Sequence, residues 1–327
     1  METKVLEGKI ALEEGKKIIS NGDVVAFPTE TVYGLGADAF NESAVAKIFE
    51  AKGRPNDNPL IVHIWDKSQI DELAKDISDG ARAVIDNFMP GPITLVLKKS
   101  DKVPFNVTAG LDTVGIRMPE HRVAREFIKA CETPIAAPSA NTSTHISPTS
   151  AKHVYDDMQG KIPLIIEGGD CQVGIESTIL DLTTDVPTIL RPGAITAEML
   201  ASVLGSVTNF TGEVVVAKAP GMKYKHYAPT CEMVVATSIE TALEEYDLQA
   251  QKCQPVLICS ASWTAKAGNR NVINVGDDER DVCRSIYGAM HKAQDKYDYI
   301  ICEDFGDEGI MLSVMNRVNK ASGGKKI

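Results

Sequence analysis

Apolar runs of four to six residues, rich in β-branched side chains, recur along the chain and alternate with segments whose apolar positions repeat at helical spacing. The candidate strands are VVAF (24–27), LIVHIW (60–65), ITLVLK (93–98), VGIRM (114–118), PIAA (134–137), PLIIE (163–167), STILDL (177–182) and TILR (188–191). Helical segments fit between them. In NESAVAKIFEAKG, Asn41 can cap a helix, Ala44, Val45, Ile48 and Phe49 make one apolar stripe, and Gly53 stands where a left-handed terminating residue belongs. Lys52 then falls in the last helical turn, and Arg54 lies just beyond it, held extended by Pro55. Such alternation predicts an α/β chain with a twisted mixed sheet flanked by helices.

The pattern breaks at APGMKYKHYAPT (219–230), where Pro and Gly flank a short basic and aromatic tract. Beyond it, the strands CEMVVA, PVLICS, NVINVG and YDYIICE alternate with a polar helix and with helices starting near Asp277 and Glu308. This predicts a first domain over 1–212, a linker over 213–230 and a smaller Rossmann-like α/β domain over 231–327. No internal repeat is present, and low complexity is confined to the SGGKKI tail.

Composition narrows the function. Hydrophobic residues make up 43% and charged residues 24% of the 327, as in an ordinary globular protein. No apolar run approaches bilayer length and no apolar leader opens the chain, so a cytoplasmic place without a membrane is expected. The seven cysteines are scattered without a C-x-x-C pair, which argues against a disulfide framework or a zinc site, and no residue is assigned as a metal ligand. A net charge of −11 has the wrong sign for gripping a nucleic-acid backbone over a broad face, so tight nucleic-acid binding is not expected and a small-molecule site is favoured.

Several turns carry residues suited to chemistry. In FPTETVYGLGADA, Gly34, Gly36 and Ala39 match the dinucleotide fingerprint G-x-G-x-x-A. The next helix starts only near Asn41, however, so these glycines do not abut a helix N-terminus and a nicotinamide site is disfavoured. No P-loop is present. What remains is polar residues at strand ends: Thr29, Glu30, Thr31 and Tyr33; Lys52, Arg54, Asn56 and Asn58; Thr113 and Arg117; Ser139, Asn141, Ser143 and Ser147; Ser177 and Thr178; Arg191. Ligands of open α/β sheets bind outside strand ends, and Arg forks with Lys point charges suit phosphates. Each residue also has a bland reading. Lys52 suits a helix C-terminus by the macrodipole alone, His63 suits a hydrogen-bonded core position, and PSANTS suits a capped loop. Singly, none decides.

Together they resemble a known family. FPTETVYGLG, KGRPNDNPLIVH, GIRMP, PSANTSTHISPT and ESTILDL followed by ILRPG stand in the order and spacing of the YrdC-type L-threonylcarbamoyladenylate synthases, over about residues 5 to 210. Lys52/Arg54 with Ser139/Asn141 resembles that family's signature, and PGMKYKHYAP with the α/β tail resembles its long form, which carries an extra C-terminal domain. The resemblance implies a YrdC-like fold and a reaction of L-threonine, bicarbonate and ATP giving threonylcarbamoyl-adenylate and pyrophosphate, with Mg²⁺ sharing the phosphate charge. A separate transferase would pass the group to the adenosine beside a tRNA anticodon.

The resemblance further implies Lys52 and Arg54 as the catalytic cradle. It places Arg54, Asn58, Thr113, Ser139, Asn141, Ser147, Arg191 and Tyr227 on ATP, and Thr31, His63, Arg117, Ala137 and Ser177 on L-threonine. Arg117 suits the amino-acid carboxylate as a bidentate partner. The tract with Tyr224, His226 and Tyr227 suits a lid or a plain tether, of which the lid is preferred. Two rivals stay open: an RNA-binding module gripping phosphates with Lys52, Arg54, Arg117 and Arg191, and another carbamoyl-transfer enzyme of the same fold, acting in hydrogenase maturation.

Overall fold

The computed structural model describes residues 1–211, 220 and 227–327. They divide into two compact units: Met1–Ser143, Pro148–Gln172 and Glu176–Lys223, and Thr144–Ser147, Val173–Ile175 and Tyr224–Ile327. Most of the 213–230 tract, with Tyr224 and His226, lies outside the described residues.

Within the first unit, twelve strands among the described residues form one mixed sheet. They are β1 (Lys4–Glu7), β2 (Val25–Phe27), β3 (Gly34–Asp38), β4 (Ile61–His63), β5 (Ala74–Lys75), β6 (Ile93–Lys99), β7 (Thr113–Arg117), β8 (Ile135–Ala137), β9 (Leu164–Glu167), β10 (Thr178–Asp181), β11 (Thr188–Arg191) and β12 (Thr208–Asn209). Their order is β1-β9-β2-β3-β8-β4-β7-β6-β10-β11-β12, with β5 beside β6. At the centre, β4 runs parallel to β7 and antiparallel to β8, while β6 runs antiparallel to β7 and parallel to β10. The eight strands expected from the apolar runs are all present. Short β1, β5 and β12 escape the pattern because two to four half-exposed residues leave no periodic signal.

One expectation is corrected. The GLGAD segment is not loop but strand β3, antiparallel to β2. A Cβ on Gly36 would come within 2.4 Å of Ile135 Cγ2 and 2.8 Å of Phe27 Cε1, and one on Gly34 within 3.1 Å of the Phe27 ring. Those glycines therefore admit Phe27 and Ile135 to the core, and the fingerprint match is a packing requirement with no phosphate role.

Local signals place the first cations. Asn41 Oδ1 accepts from Ala44 N at 3.1 Å and so caps the helix Glu42–Lys52, whose buried stripe is Ala44, Val45, Ile48, Phe49 and Lys52. Gly53 ends it at φ 59°, the left-handed region that glycine adopts without a Cβ penalty.

The second unit holds a parallel sheet of β13 (Glu232–Ala236), β14 (Pro255–Cys259), β15 (Val272–Asn274) and β16 (Tyr299–Glu303), in the order β13-β16-β14-β15. Helices Ile239–Gln249, Glu279–Gln294 and Met311–Ala321 alternate with these strands, as a Rossmann-like pattern requires. The SGGKKI tail is ordered: Val235 N donates to Lys325 O and Ile327 N to Val235 O, which extends the β13 edge.

Overpacking fixes a test of the β3 assignment. Gly36→Ala is expected to destabilise the protein by about 1–3 kcal/mol through forced movement of Ile135 and Phe27, read as a lower urea midpoint. An unchanged midpoint would contradict the tight β2–β3–β8 packing.

Candidate active site

Register sorts the predicted residues by position. Ile61 pairs with Gly115 and Ala137, and His63 pairs with Arg117 and Ile135. Because side chains alternate along a strand, Thr113, Gly115 and Arg117 share one face of β7, with the first and last about 13 Å apart at 3.3 Å per residue. Arg117 and His63 mark one end of this face. Thr113 marks the other, level with the start of β4 and with Ser139 just past β8. In the middle, Gly115 and Ala137 flank Ile61; a Cβ on Gly115 would meet Thr94 Cγ2 at 3.3 Å and Ile61 Cγ1 at 3.7 Å.

At the Thr113 end, main-chain carbonyls surround the cations. Lys52, 2% exposed, donates through Nζ to Ser139 O at 2.6 Å and to Asn141 O. Burial pushes its pKa well below the usual lysine value, and the neighbouring Arg54 charge adds to that. Two of its three protons thus tie down the PSAN turn. Arg54 Nη2 donates to the Asn58 and Pro59 carbonyls, each at 3.3 Å, which closes the KGRPNDNP loop. Asn58 is buried with Oδ1 unpartnered among the described residues, and Asn141 Nδ2 donates to Thr142 O at 2.8 Å.

The Arg117 end is an enclosed polar network. Arg117 Nη2 donates to Glu30 Oε1 at 2.7 Å, with both residues 4% exposed, and Nη1 donates to Thr31 Oγ1 at 2.8 Å. Thr29 Oγ1 spends its proton on Val32 O at 2.6 Å, so Thr31 donates to Thr29 at 2.9 Å and is free only to accept. The expected open bidentate fork is therefore partly engaged: each terminal nitrogen of Arg117 already has one partner. Ser177 Oγ bonds Thr94 Oγ1 at 2.8 Å. Arg191 Nε and Nη2 donate to Ser177 O at 3.1 and 3.0 Å, and Nη1 donates to Pro220 O at 3.2 Å. Arg191 thereby braces Ser177 from β11.

His63 is buried edge-on to Phe27, with ring centroids 5.7 Å apart, and its Nδ1 lies 3.1 Å from Ile61 O. A carbonyl only accepts, so the proton sits on Nδ1. Burial and the Arg117 charge push its pKa down to about 3, although the Ile61 and Ile135 carbonyls pull the other way. The ring is a neutral acceptor at physiological pH.

Ser147 and Tyr227 belong to the second unit. Ser147 O lies 3.2 Å from His291 Nε2, and Tyr227, at φ 66°, packs on Tyr287 with ring centroids 5.6 Å apart. Sequence reasoning gave no role to Glu30 or Thr94. The signal was available: a buried arginine needs an anion, and a threonine on the Ile93–Lys99 strand must find a polar partner. Among the described residues, no group of three or more His, Cys, Asp or Glu is arranged to hold a metal ion.

The mixed sheet thus carries a cation-held turn at one end of the Thr113–Arg117 face and a buried arginine network at the other, the α/β architecture of a YrdC-like domain. The family model Sua5_yciO_yrdC, described as "Telomere recombination", matches residues 17–193, and the model for the C-terminal domain of threonylcarbamoyl-AMP synthase matches residues 195–323. Threonylcarbamoyl-AMP synthase of Pyrococcus abyssi is 45% identical, over 98% of this chain and 96% of its own. The Bacillus subtilis enzyme of the same name is 41% identical over 97% and 94%. The crystal structure of P. abyssi Sua5 complexed with L-threonine superposes with a TM-score of 0.92 at 41% identity, covering 100% of this chain and 99% of that one. The chain belongs to the threonylcarbamoyl-AMP synthase family.

The depressed His63 pKa gives a pH test. The unfolded chain binds a proton below about pH 6.5 that the native site refuses down to about pH 3, so stability falls as pH drops through that window. Between pH 6.5 and 5, wild type is expected to lose roughly 1.5 kcal/mol more than His63→Gln, measured by urea unfolding. Equal losses in the two proteins would mean that His63 titrates normally.

Proposed function

We propose that this protein makes L-threonylcarbamoyladenylate from L-threonine, bicarbonate and ATP, releasing pyrophosphate, for threonylcarbamoyl modification of tRNA. The observation that carries this reading is the whole-length likeness to the L-threonine-bound enzyme. The site chemistry supports it. The amine captures carbon dioxide as a carbamate, a carbamate oxygen attacks the α-phosphorus of ATP, and pyrophosphate leaves. No protein nucleophile is needed, only fixed cations and donors where phosphate charge develops.

In this proposal the two ends divide the substrates. Thr31, His63, Arg117, Ala137 and Ser177 receive L-threonine, with the remaining Arg117 protons on its carboxylate and the neutral His63 ring as acceptor for its hydroxyl. Arg54, Asn58, Thr113, Ser139, Asn141, Ser147, Arg191 and Tyr227 receive ATP. Lys52 acts with Arg54, chiefly by fixing the Ser139–Asn141 turn and by presenting its one uncommitted proton. Magnesium enters as the counter-ion of ATP, held by phosphate oxygens and water. The described residues build no cage for it and no step is assigned to it. No helix among them is long and apolar enough to cross a membrane. A cytoplasmic place, and a separate transferase that carries the group to tRNA, complete the proposal; the charge of −11 suits a chain that does not hold the tRNA itself.

Pyrophosphate release from Mg·ATP is expected to require both L-threonine and bicarbonate and to fall at least about tenfold in Lys52→Ala and in Arg54→Ala, as for loss of a preorganised donor. Release indifferent to threonine would overturn the reading, and salt-sensitive RNA binding would then favour the nucleic-acid alternative. Among substitutes for threonine, valine is expected to react more slowly than serine. Serine loses one methyl, worth roughly 1–3 kcal/mol, whereas valine strands a polar partner of the hydroxyl. Serine turnover at or below that of valine would remove the assigned hydroxyl contact.

A further inference from the structure

Unpaired polar atoms gather at the Arg117 end. The Glu30–Arg117 pair uses Oε1 and Nη2 on each other, yet Glu30 Oε2 and Arg117 Nε are buried without partners among the described residues. Next to them, His121 opens the helix Arg122–Cys131, and its Nδ1 is also buried and unpartnered. Burial holds the His121 pKa below the usual imidazole value; the Gly168 main chain favours a proton on the ring, and the Glu30 charge acts on it as well. In a neutral ring protonated on the Gly168 side, Nδ1 is an acceptor.

Unpaired buried polar atoms are costly, so three in one neighbourhood require a missing partner. Their chemistry describes it: two acceptors, one of them a carboxylate oxygen, and one guanidinium N–H donor. An α-ammonium has three donors and one positive charge, and an α-carboxylate has the matching acceptors. Glu30 and Arg117 thus present, with polarity reversed, the two charges of an amino-acid zwitterion. The geometry points to Glu30, supported by His121 Nδ1, as the acceptor of the substrate's α-ammonium group, with Arg117 receiving the carboxylate. This deepens the proposed function and rests on it: the site would select free α-amino acids by their charge at nitrogen, before any contact with the side chain.

Calorimetric titration of the full chain tests this with L-threonine, with its α-hydroxy analogue, in which –OH replaces –NH3+, and with L-threoninamide, which lacks the carboxylate charge. Wild type is expected to prefer L-threonine to the α-hydroxy analogue by roughly tenfold to a hundredfold, the range for a hydrogen bond to a charged group. Glu30→Gln should lose that preference while still preferring L-threonine to L-threoninamide, and Glu30→Asp, which keeps the charge, should retain part of it. Should Glu30→Gln fail to fold, Glu30→Asp and His121→Leu decide together: a smaller ammonium preference than in wild type in either supports the assignment, and an undiminished one in both overturns it. Equal wild-type affinity for L-threonine and its α-hydroxy analogue, or full preference kept in Glu30→Gln, overturns the role of Glu30 alone. A wild-type protein that binds none of the three ligands overturns the proposed function, and this assignment with it.

Discussion

Side chains alternate along a strand with a period of two, so a slip of one residue between β4 and either neighbour would carry His63 to the opposite face. In the observed register, Val62 enters the main apolar core while Ile61 and His63 face the other way, level with Gly115, Arg117, Ala137 and Ile135. Everything assigned to the site depends on that phase. It is specified by burial, because Val62, Leu95, Ile116 and Ala136 all belong to the core cluster on the far side. A slip would expose these residues and bury the polar set without partners, which is unfavourable on both counts.

Burying cations carries its own cost. Breaking a buried pair typically loses about 3–5 kcal/mol, while forming one gains little over an apolar substitute, so the Glu30–Arg117 pair is poorly explained as a stabilising device. Lys52 is similar: a fully desolvated ammonium answered by two carbonyls is satisfied enough to persist but not enough to be favourable. Both are better explained by preorganisation. Carbonyls, a hydroxyl and one carboxylate hold the cations in fixed directions, so little reorganisation remains when an anionic group meets them.

Much of the fold was legible because its signals are local. The eight strand runs, the Asn41 cap, the Gly53 terminus and the second α/β domain follow from periodicity and capping chemistry. Strand β3 was not legible. Glycines at 34 and 36 read as a loop to any propensity argument, and only the long-range approach of Phe27 and Ile135 turns them into a strand. The site was legible as a list of residues but not as an arrangement. Nothing local says that Arg117 meets Glu30 and Thr31, that Lys52 spends two protons on the Ser139–Asn141 turn, or that Arg191 clasps Ser177, since each contact joins residues 14 to 89 positions apart.

The separation of the two ends also gives the chemistry a direction. Combining R–NH3+ with HCO3− to give R–NH–COO−, water and a proton changes the nitrogen substituent from a cation to an anion. With Glu30 at the amino-acid end, the starting ammonium is attracted there and the carbamate is repelled. On the proposed assignment, the new carboxylate oxygen, which must reach the α-phosphorus, is then favoured on the side of Lys52 and Arg54. Glycine and alanine at positions 115 and 137 flank Ile61 on the intervening face and keep the side chains beside it small. On that assignment the carboxylate proposed to receive the ammonium disfavours the intermediate in the place where it forms, an asymmetry that fixed charges supply without any movement of the protein.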